Sequence, residues 1–219
     1  MAPQLPALTR AARVALLHGP YAIVNEGRPN PVDIAAASVR AGMRVVQYRA
    51  KHGIDAERLR AVRELTAREH ALLILNDDVE AAIAFDCDGV HLGPDDGAFD
   101  DVRPIRERMG QRLMGISAGT VDEACWAERA GADYIGVGAV YATTSKNDAG
   151  APIGIDALRS VAAASSLPIA AIGGIGVTNI AEVAGTGVAM AAVISAIAAA
   201  PDAERAAHAL VEAWNGARR

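Results

Sequence analysis

The sequence predicts an α/β fold of the closed-barrel kind, a (β/α)8 TIM barrel in which residues 1–219 form a single domain. Three observations predict it. Short apolar runs alternate with helix-length amphipathic stretches, and the alternation repeats eight times. The chain is 52% hydrophobic but only 4% aromatic, a balance of small apolar residues that suits parallel strands covered on both faces. No linker or shift in composition divides it, and α/β barrels of about 250 residues still fold as one unit.

In order, the apolar runs span residues 21–25, 45–49, 72–76, 89–93, 112–117, 134–141, 168–175 and 188–195. Continuous runs of this length, bounded by polar or glycine-containing turns, read as buried strands. Helical stretches at 33–41, 55–69, 78–84, 100–109, 120–130, 155–164, 178–185 and 202–214 follow them in turn. Asp33, Asp55, Thr120, Thr178 and Asp202 are placed as N-caps, where a side-chain oxygen accepts from the free N–H groups of a first turn. Ala41-Gly42, Ala130-Gly131 and Ala184-Gly185 place a glycine where a helix can end in the left-handed conformation. Strands alternating with helices form right-handed crossovers into a parallel sheet, and eight such units close a barrel. An open doubly wound sheet is the structural alternative. Its G-x-G-x-x-G fingerprint would follow the first strand, and that segment contains nothing of the kind.

The net charge of −5 offers no basic stripe for nucleic acid. An anionic ligand would therefore be held by local cations and backbone amides. Cys87 and Cys125 are the only cysteines, too few for a disulfide framework or metal cluster, and both read as small buried hydrophobes. Arg10 and Arg13 are followed by no apolar run of signal-peptide length before Gly19. The stretch 187–200 is interrupted by Ser195 and falls short of the ~20 residues that span a bilayer. The expectation is a cytoplasmic protein with no membrane partner.

Barrel enzymes build their sites at the C-terminal ends of the strands, and the polar residues collect there. Strand two ends in Gln47-Tyr48-Arg49-Ala50-Lys51, whose alternate side chains share one face. Strand three ends in Asn76-Asp77-Asp78, and the turn after strand four is Gly93-Pro94-Asp95-Asp96-Gly97. Strand five ends at Ser117, and the loop after strand six reads Thr143-Thr144-Ser145-Lys146-Asn147-Asp148. Strand seven ends in Gly173-Gly174-Ile175 and strand eight in Ile194-Ser195. Each segment has a plain reading: a rim ion pair, turn and N-cap chemistry for the acidic pairs, a solvated loop. Gly173-Gly174 has a sharper one, because bare backbone lets a phosphate approach N–H groups. Cations and carboxylates at one mouth suggest a phosphorylated ligand with Mg²⁺, which takes oxygen ligands from one or two carboxylates plus substrate phosphates.

In these segments the sequence resembles the thiamine phosphate synthase family, and the likeness covers nearly the whole chain. It is carried by residues 47–51, Leu75-Asn76-Asp77, Asp88-Gly89-Val90-His91-Leu92-Gly93, Gly115-Ile116-Ser117, Gly131-Ala132-Asp133-Tyr134-Ile135-Gly136, residues 143–148, Ala171-Ile172-Gly173-Gly174-Ile175 and Ile194-Ser195-Ala196-Ile197. The resemblance implies that hydroxymethylpyrimidine diphosphate is joined to a thiazole phosphate with release of pyrophosphate. It implies that Asp77 and Asp96 hold Mg²⁺, and that Arg49, Lys51, Asn76 and Lys146 clasp the pyrophosphate. Gln47 and Ser117 would lie by the pyrimidine and its leaving group. Thr143, Ser145, Gly174 and Ser195, with Ile194 beside them, would hold the thiazole phosphate. The partners are small phosphorylated molecules, and room is left for a homo-oligomer. Because the thiazole nitrogen attacks with its own lone pair, no acid–base dyad is required, and His91 reads as a structural strand residue.

The family commonly has Glu where this chain has Ala50, Gln at Pro94, Pro at Ala139, Thr at Ser145, and Gly-Ala-Asp-Gly before Ile194, where this chain reads Gly187-Val188-Ala189-Met190. Pro94 bears on the loop that carries Asp96. Two other readings stand. A related thiazole tautomerase would want a His where this chain has Gly119, and would tend to lose the pyrophosphate set. A sensor of thiamine precursors would need affinity without leaving-group stabilisation.

Overall fold

The computed structural model describes residues 8–27, 29–93, 102–145 and 150–219. Eight parallel strands pair in sequence order and the last closes on the first. They are β1 (Gly19–Asn25), β2 (Val45–Arg49), β3 (Leu72–Asn76), β4 (Gly89–Leu92), β5 (Leu113–Ala118), β6 (Tyr134–Gly138), β7 (Ile169–Ile172) and β8 (Met190–Val193). Closure is made by the register from Gly19↔Met190 to Ala22↔Val193. Helices α2 (Pro31–Arg40), α3 (Ala56–Arg68), α4 (Val79–Ala84), α5 (Arg103–Met109), α6 (Val121–Arg129), α7 (Gly154–Ala164) and α8 (Ile180–Ala184) connect successive strands. α10 (Ala203–Gly216) follows β8, and two short helices absent from the sequence reading are α1 (Arg10–Val14) and α9 (Ser195–Ala198).

Side-chain alternation along each strand sorts the residues into two layers. Outward residues such as Val46, Tyr48, Leu73, Leu75, Val90, Ile116 and Ile135 are buried beneath the helices. Inward residues Tyr21, Ile23, Val45, Leu72, Ile74, Leu113, Tyr134, Ala170, Met190 and Ala192 fill the barrel, with Leu17 below them. The inward phase continues to Arg49, Asn76, His91 and Ser117, so the same alternation that builds the core delivers polar groups to the mouth.

The other end of the barrel is fastened by buried carboxylates. Asp88 accepts from Leu73 N at 3.0 Å and pairs with Arg13 Nε at 3.0 Å. Asp133 accepts from Met114 N at 2.8 Å and pairs with Arg106 at 2.8 Å and with Arg10. Buried charge is tolerable only when paired and hydrogen-bonded, and this pairing ties α1 beneath the strands. Two acidic residues of the family-like segments therefore serve the fold rather than the mouth.

Several local expectations are corrected. Asp55, Thr120 and Asp202 cap α3, α6 and α10, accepting from Arg58 N at 3.1 Å, Glu123 N at 3.2 Å and Arg205 N at 2.9 Å. Asp33 lies inside the first turn of α2; Asn30 is the cap, because Pro31 suits the first helical position and starts the helix earlier. Thr178 does not cap α8; Asn179 precedes it and makes no cap bond. Gly42 and Gly131 are left-handed, whereas Gly185 stays right-handed at φ −71 and Gly187 makes the turn at φ 90. β6, β7 and β8 are shorter than their apolar runs, since residues after Gly138, Ile172 and Val193 leave the ladder to form the mouth. Cys87 is buried as expected, but Cys125 is only half-buried.

Candidate active site

The mouth holds a cavity of about 390 Å³ to which β2 through β8 or the loops after them contribute, a volume in the range of small-molecule sites. Ten predicted residues line it: Arg49, Lys51, Asn76, Asp77, Ser117, Thr143, Ser145, Gly174, Ile194 and Ser195. Gln47 does not. It is 3% exposed and its amide donates to the Tyr21 hydroxyl at 2.8 Å, within the barrel. Asp96 and Lys146 lie outside the described residues.

One wall, from β2 and β3, is charged. Arg49 donates to Asn25 Oδ1 at 3.3 Å, while its Nε is buried without a hydrogen-bond partner among the described residues. A buried donor left so costs about 1–3 kcal/mol, and more when charged. Lys51 Nζ lies 2.6 Å from Asp77 Oδ2, both partly exposed, so the pair adds little stability. The acidic pair of this turn divides its duties. Asp78 caps α4, accepting from Ala81 N at 2.9 Å, and Asp77 is left to the mouth.

Asp77 is also left-handed, at φ 68. His70 and Asp86 share that conformation, but each follows the last turn of a helix, where it is an ordinary stop. Asp77 follows a strand, and its conformation costs on the order of 1 kcal/mol without a helix end to explain it. Asp77 supplies oxygen donors of the kind a hard divalent cation takes. Among the described residues no cluster of three or more His, Cys, Asp or Glu side chains forms a complete metal cage.

Across the barrel, β6 to β8 present backbone and hydroxyls. Gly173 and Gly174 line the cavity at φ 102 and 64. A Cβ on Gly173 would sit 2.5 Å from Ala139 Cβ, and one on Gly174 would sit 2.6 Å from the Ala142 carbonyl oxygen. Only glycine fits both positions. Asn179 braces this turn, donating to the Gly174 carbonyl at 2.9 Å and accepting from Gly176 N at 2.8 Å. That duty explains why it makes no cap bond to α8. Ser145 and Ser195 bring their hydroxyls within 3.2 Å of each other, and Ser145 N donates to Thr143 Oγ1 at 3.2 Å.

A chain of polar side chains runs beneath the cavity, and its last two members, His91 and Ser117, line it. Tyr21 and Tyr134 hydroxyls are 3.2 Å apart, Tyr134 Oη is 3.1 Å from His91 Nδ1, and His91 Nε2 is 3.1 Å from Ser117 Oγ. Burial pushes both phenols well above the ordinary tyrosine range. His91 thus lines the cavity, which its structural reading missed. The available signal was its phase: it pairs with Asn76 across β3 and β4 and points the same way. Glu123 also lines the cavity, but its carboxylate is engaged by Gly119 N at 2.6 Å and Thr120 N at 3.2 Å in the capping box of α6.

Among the described residues no helix is long and apolar enough to cross a membrane. Comparison with known proteins shows the family. A family model described as thiamine monophosphate synthase matches residues 20–197. The chain is 45% identical over 190 residues to a thiamine-phosphate synthase of Chloroflexus aurantiacus, covering 85% of this chain and 86% of that protein. It is 46% identical over 184 residues to one from Archaeoglobus fulgidus, covering 82% and 85%. A thiamine phosphate pyrophosphorylase structure from Pyrococcus furiosus superimposes with a TM-score of 0.82 at 33% identity, covering 90% of this chain and 96% of that one.

Proposed function

The chain belongs to the thiamine monophosphate synthase family and is a transferase, and from that premise we propose that its cavity couples hydroxymethylpyrimidine diphosphate to a thiazole phosphate. One observation carries the reading: a single cavity has two anion-receptive walls facing each other across the barrel. The charged wall of Arg49, Lys51, Asn76 and Asp77 suits a pyrophosphate. The wall of Gly174, Thr143, Ser145 and Ser195 suits a single phosphate, with Ile194 as an apolar contact beside it.

In this reaction the bond between the pyrimidine methylene carbon and the diphosphate oxygen breaks, and the oxygen keeps the electron pair. The thiazole nitrogen then forms the new carbon–nitrogen bond with its own lone pair. Arg49, Lys51 and Lys146 meet the negative charge as it gathers on the departing group, an effect worth ~3–4 kcal/mol for each well-placed donor. Holding the two substrates side by side removes much of the entropic barrier between them. Ser117 stands beside the leaving group, and buried Gln47 acts from below, through Tyr21. Asp77 and Asp96 would hold Mg²⁺, which when bound neutralises charge on the pyrophosphate oxygens. Two free thiols suit a cytoplasmic site of action.

The test is direct. Purified protein given both precursors and Mg²⁺ should release pyrophosphate and thiamine phosphate in equal amounts. Interconversion of thiazole tautomers without coupling would favour the isomerase reading instead. Gly119 argues against that outcome, since it offers no side chain to move a proton.

A further inference from the structure

Five polar side chains from five strands form one continuous line through the barrel: Gln47 on β2, Tyr21 on β1, Tyr134 on β6, His91 on β4 and Ser117 on β5. Small-to-large packing makes it possible. A Cβ on Gly115 would lie 2.1 Å from Tyr134 Cζ, and one on Gly136 would lie 2.8 Å from His91 Cε1. Barrel interiors are usually filled by branched aliphatic residues; here two glycines clear the space for two rings that carry hydrogen-bonding groups. A polar line this deep is costly unless every member is satisfied, so its presence calls for a reason beyond stability.

The line has a direction. The Gln47 amide nitrogen can only donate, so the Tyr21 oxygen accepts from it and its single proton is free for Tyr134. Burial keeps both phenols protonated. Tyr134 then has its own proton for His91 Nδ1, which must accept. An imidazole accepting at Nδ1 carries its proton on Nε2, and that proton goes to Ser117 Oγ. The Ser117 hydroxyl proton is left for whatever occupies the cavity.

We propose that this one-way relay holds His91 as its Nε2–H tautomer and so makes Ser117 a hydrogen-bond donor toward the ligand. Tyr21, Tyr134 and His91 are positioning residues, acting on the reaction through Ser117. The inference rests on reading the cavity as a pyrophosphate-releasing site. There a donor strengthens as charge gathers on the departing oxygen, whereas a serine lone pair turned the same way would oppose the charge.

The relay's polarity can be read without turnover. In protein labelled with ¹⁵N-histidine, His91 is one of five histidines, and its resonances are identified by their loss in His91→Asn. The expected result is an imidazole protonated at Nε2 and unprotonated at Nδ1. Tyr134→Phe, which keeps the ring and removes the donor, should shift His91 toward a mixture of tautomers. The same variant should lower kcat about three- to tenfold, the equivalent of one lost hydrogen bond, with KM for both substrates nearly unchanged. Tyr21→Phe, which leaves Tyr134 able to donate, should move the tautomer less. A wild-type His91 protonated at Nδ1 would overturn the proposal, as would a Tyr134→Phe protein with the wild-type tautomer and kcat. An Nε2–H tautomer in a protein that makes no thiamine phosphate would overturn the reaction and not the relay.

Discussion

Gly136→Ala is the most informative single substitution at this site. Gly136 lines the cavity on β6 beneath the His91 ring. An added methyl would lie 2.8 Å from His91 Cε1, 3.1 Å from Nε2 and 3.9 Å from Ser117 Oγ. Carbon atoms in contact prefer ~3.5–4.0 Å, so the ring has to withdraw by roughly 0.7 Å or more. It is held at 3.1 Å on both sides, by Tyr134 Oη and Ser117 Oγ, and a move of that size breaks at least one of the two bonds. Overpacking of this kind costs about 1–3 kcal/mol, which for a chain of this length lowers Tm by roughly 2–12 °C. Misplacing a positioning group by about 1 Å costs up to 10²-fold in rate, so kcat should fall roughly ten- to a hundredfold while the protein stays folded. Gly216→Ala is the control, since nothing lies within 4 Å of that position in α10 and alanine suits a helix better; Tm should hold or rise slightly. Thermal melts and initial rates on the three proteins decide the matter. A Gly136→Ala enzyme with lowered Tm and wild-type kcat would refute the claim that catalysis depends on the His91–Ser117 geometry.

Asp77→Asn should fold with stability close to wild type, because Asn also tolerates the left-handed conformation. It should nonetheless lose most activity or need far more Mg²⁺, and full activity in excess EDTA would remove Asp77 from the metal site. Ser195→Ala should raise KM for the thiazole phosphate about ten- to a hundredfold, as expected for one hydrogen bond to a charged group, leaving KM for the pyrimidine diphosphate unchanged; equal effects on both would contradict the division into two walls. Lys146→Ala should lower kcat more than it raises KM, because its contact grows with leaving-group charge, and steady-state kinetics separate the two. Burial pushes the Cys87 thiol up to about 12, so at pH 8 only about one molecule in 10⁴ carries the reactive thiolate there. A disulfide reagent should therefore label half-buried Cys125 first and Cys87 only after unfolding, and rapid labelling of both would contradict the packing beneath β4.

The sequence by itself determined the barrel. Eight apolar runs alternating with amphipathic helices leave few other ways to cover parallel strands, and right-handed crossovers order them one after another. It also determined where the mouth lies, because polar groups at the ends of otherwise apolar strands have no other place to face. Asp55, Thr120 and Asp202 were legible as caps because capping is set by residues within a single turn. Asp33 and Thr178 were misread where a neighbouring proline or asparagine changed the local competition.

Tertiary structure alone decided which side chains meet. Asp77 and Asp78 are adjacent and chemically alike, yet one caps α4 and the other faces the cavity, a division made by the backbone turn at φ 68. Gln47 sits two residues before Arg49 on the same face of β2, but only Arg49 reaches the cavity; Gln47 lies deeper and turns to Tyr21. His91 looked like an ordinary strand residue until β5 and β6 placed Ser117 and Tyr134 against its two ring nitrogens. Tyr21 and Tyr134 are 113 positions apart. Side-chain alternation states that both point inward, but their contact exists only because the barrel closes, and no local pattern encodes a distance across it.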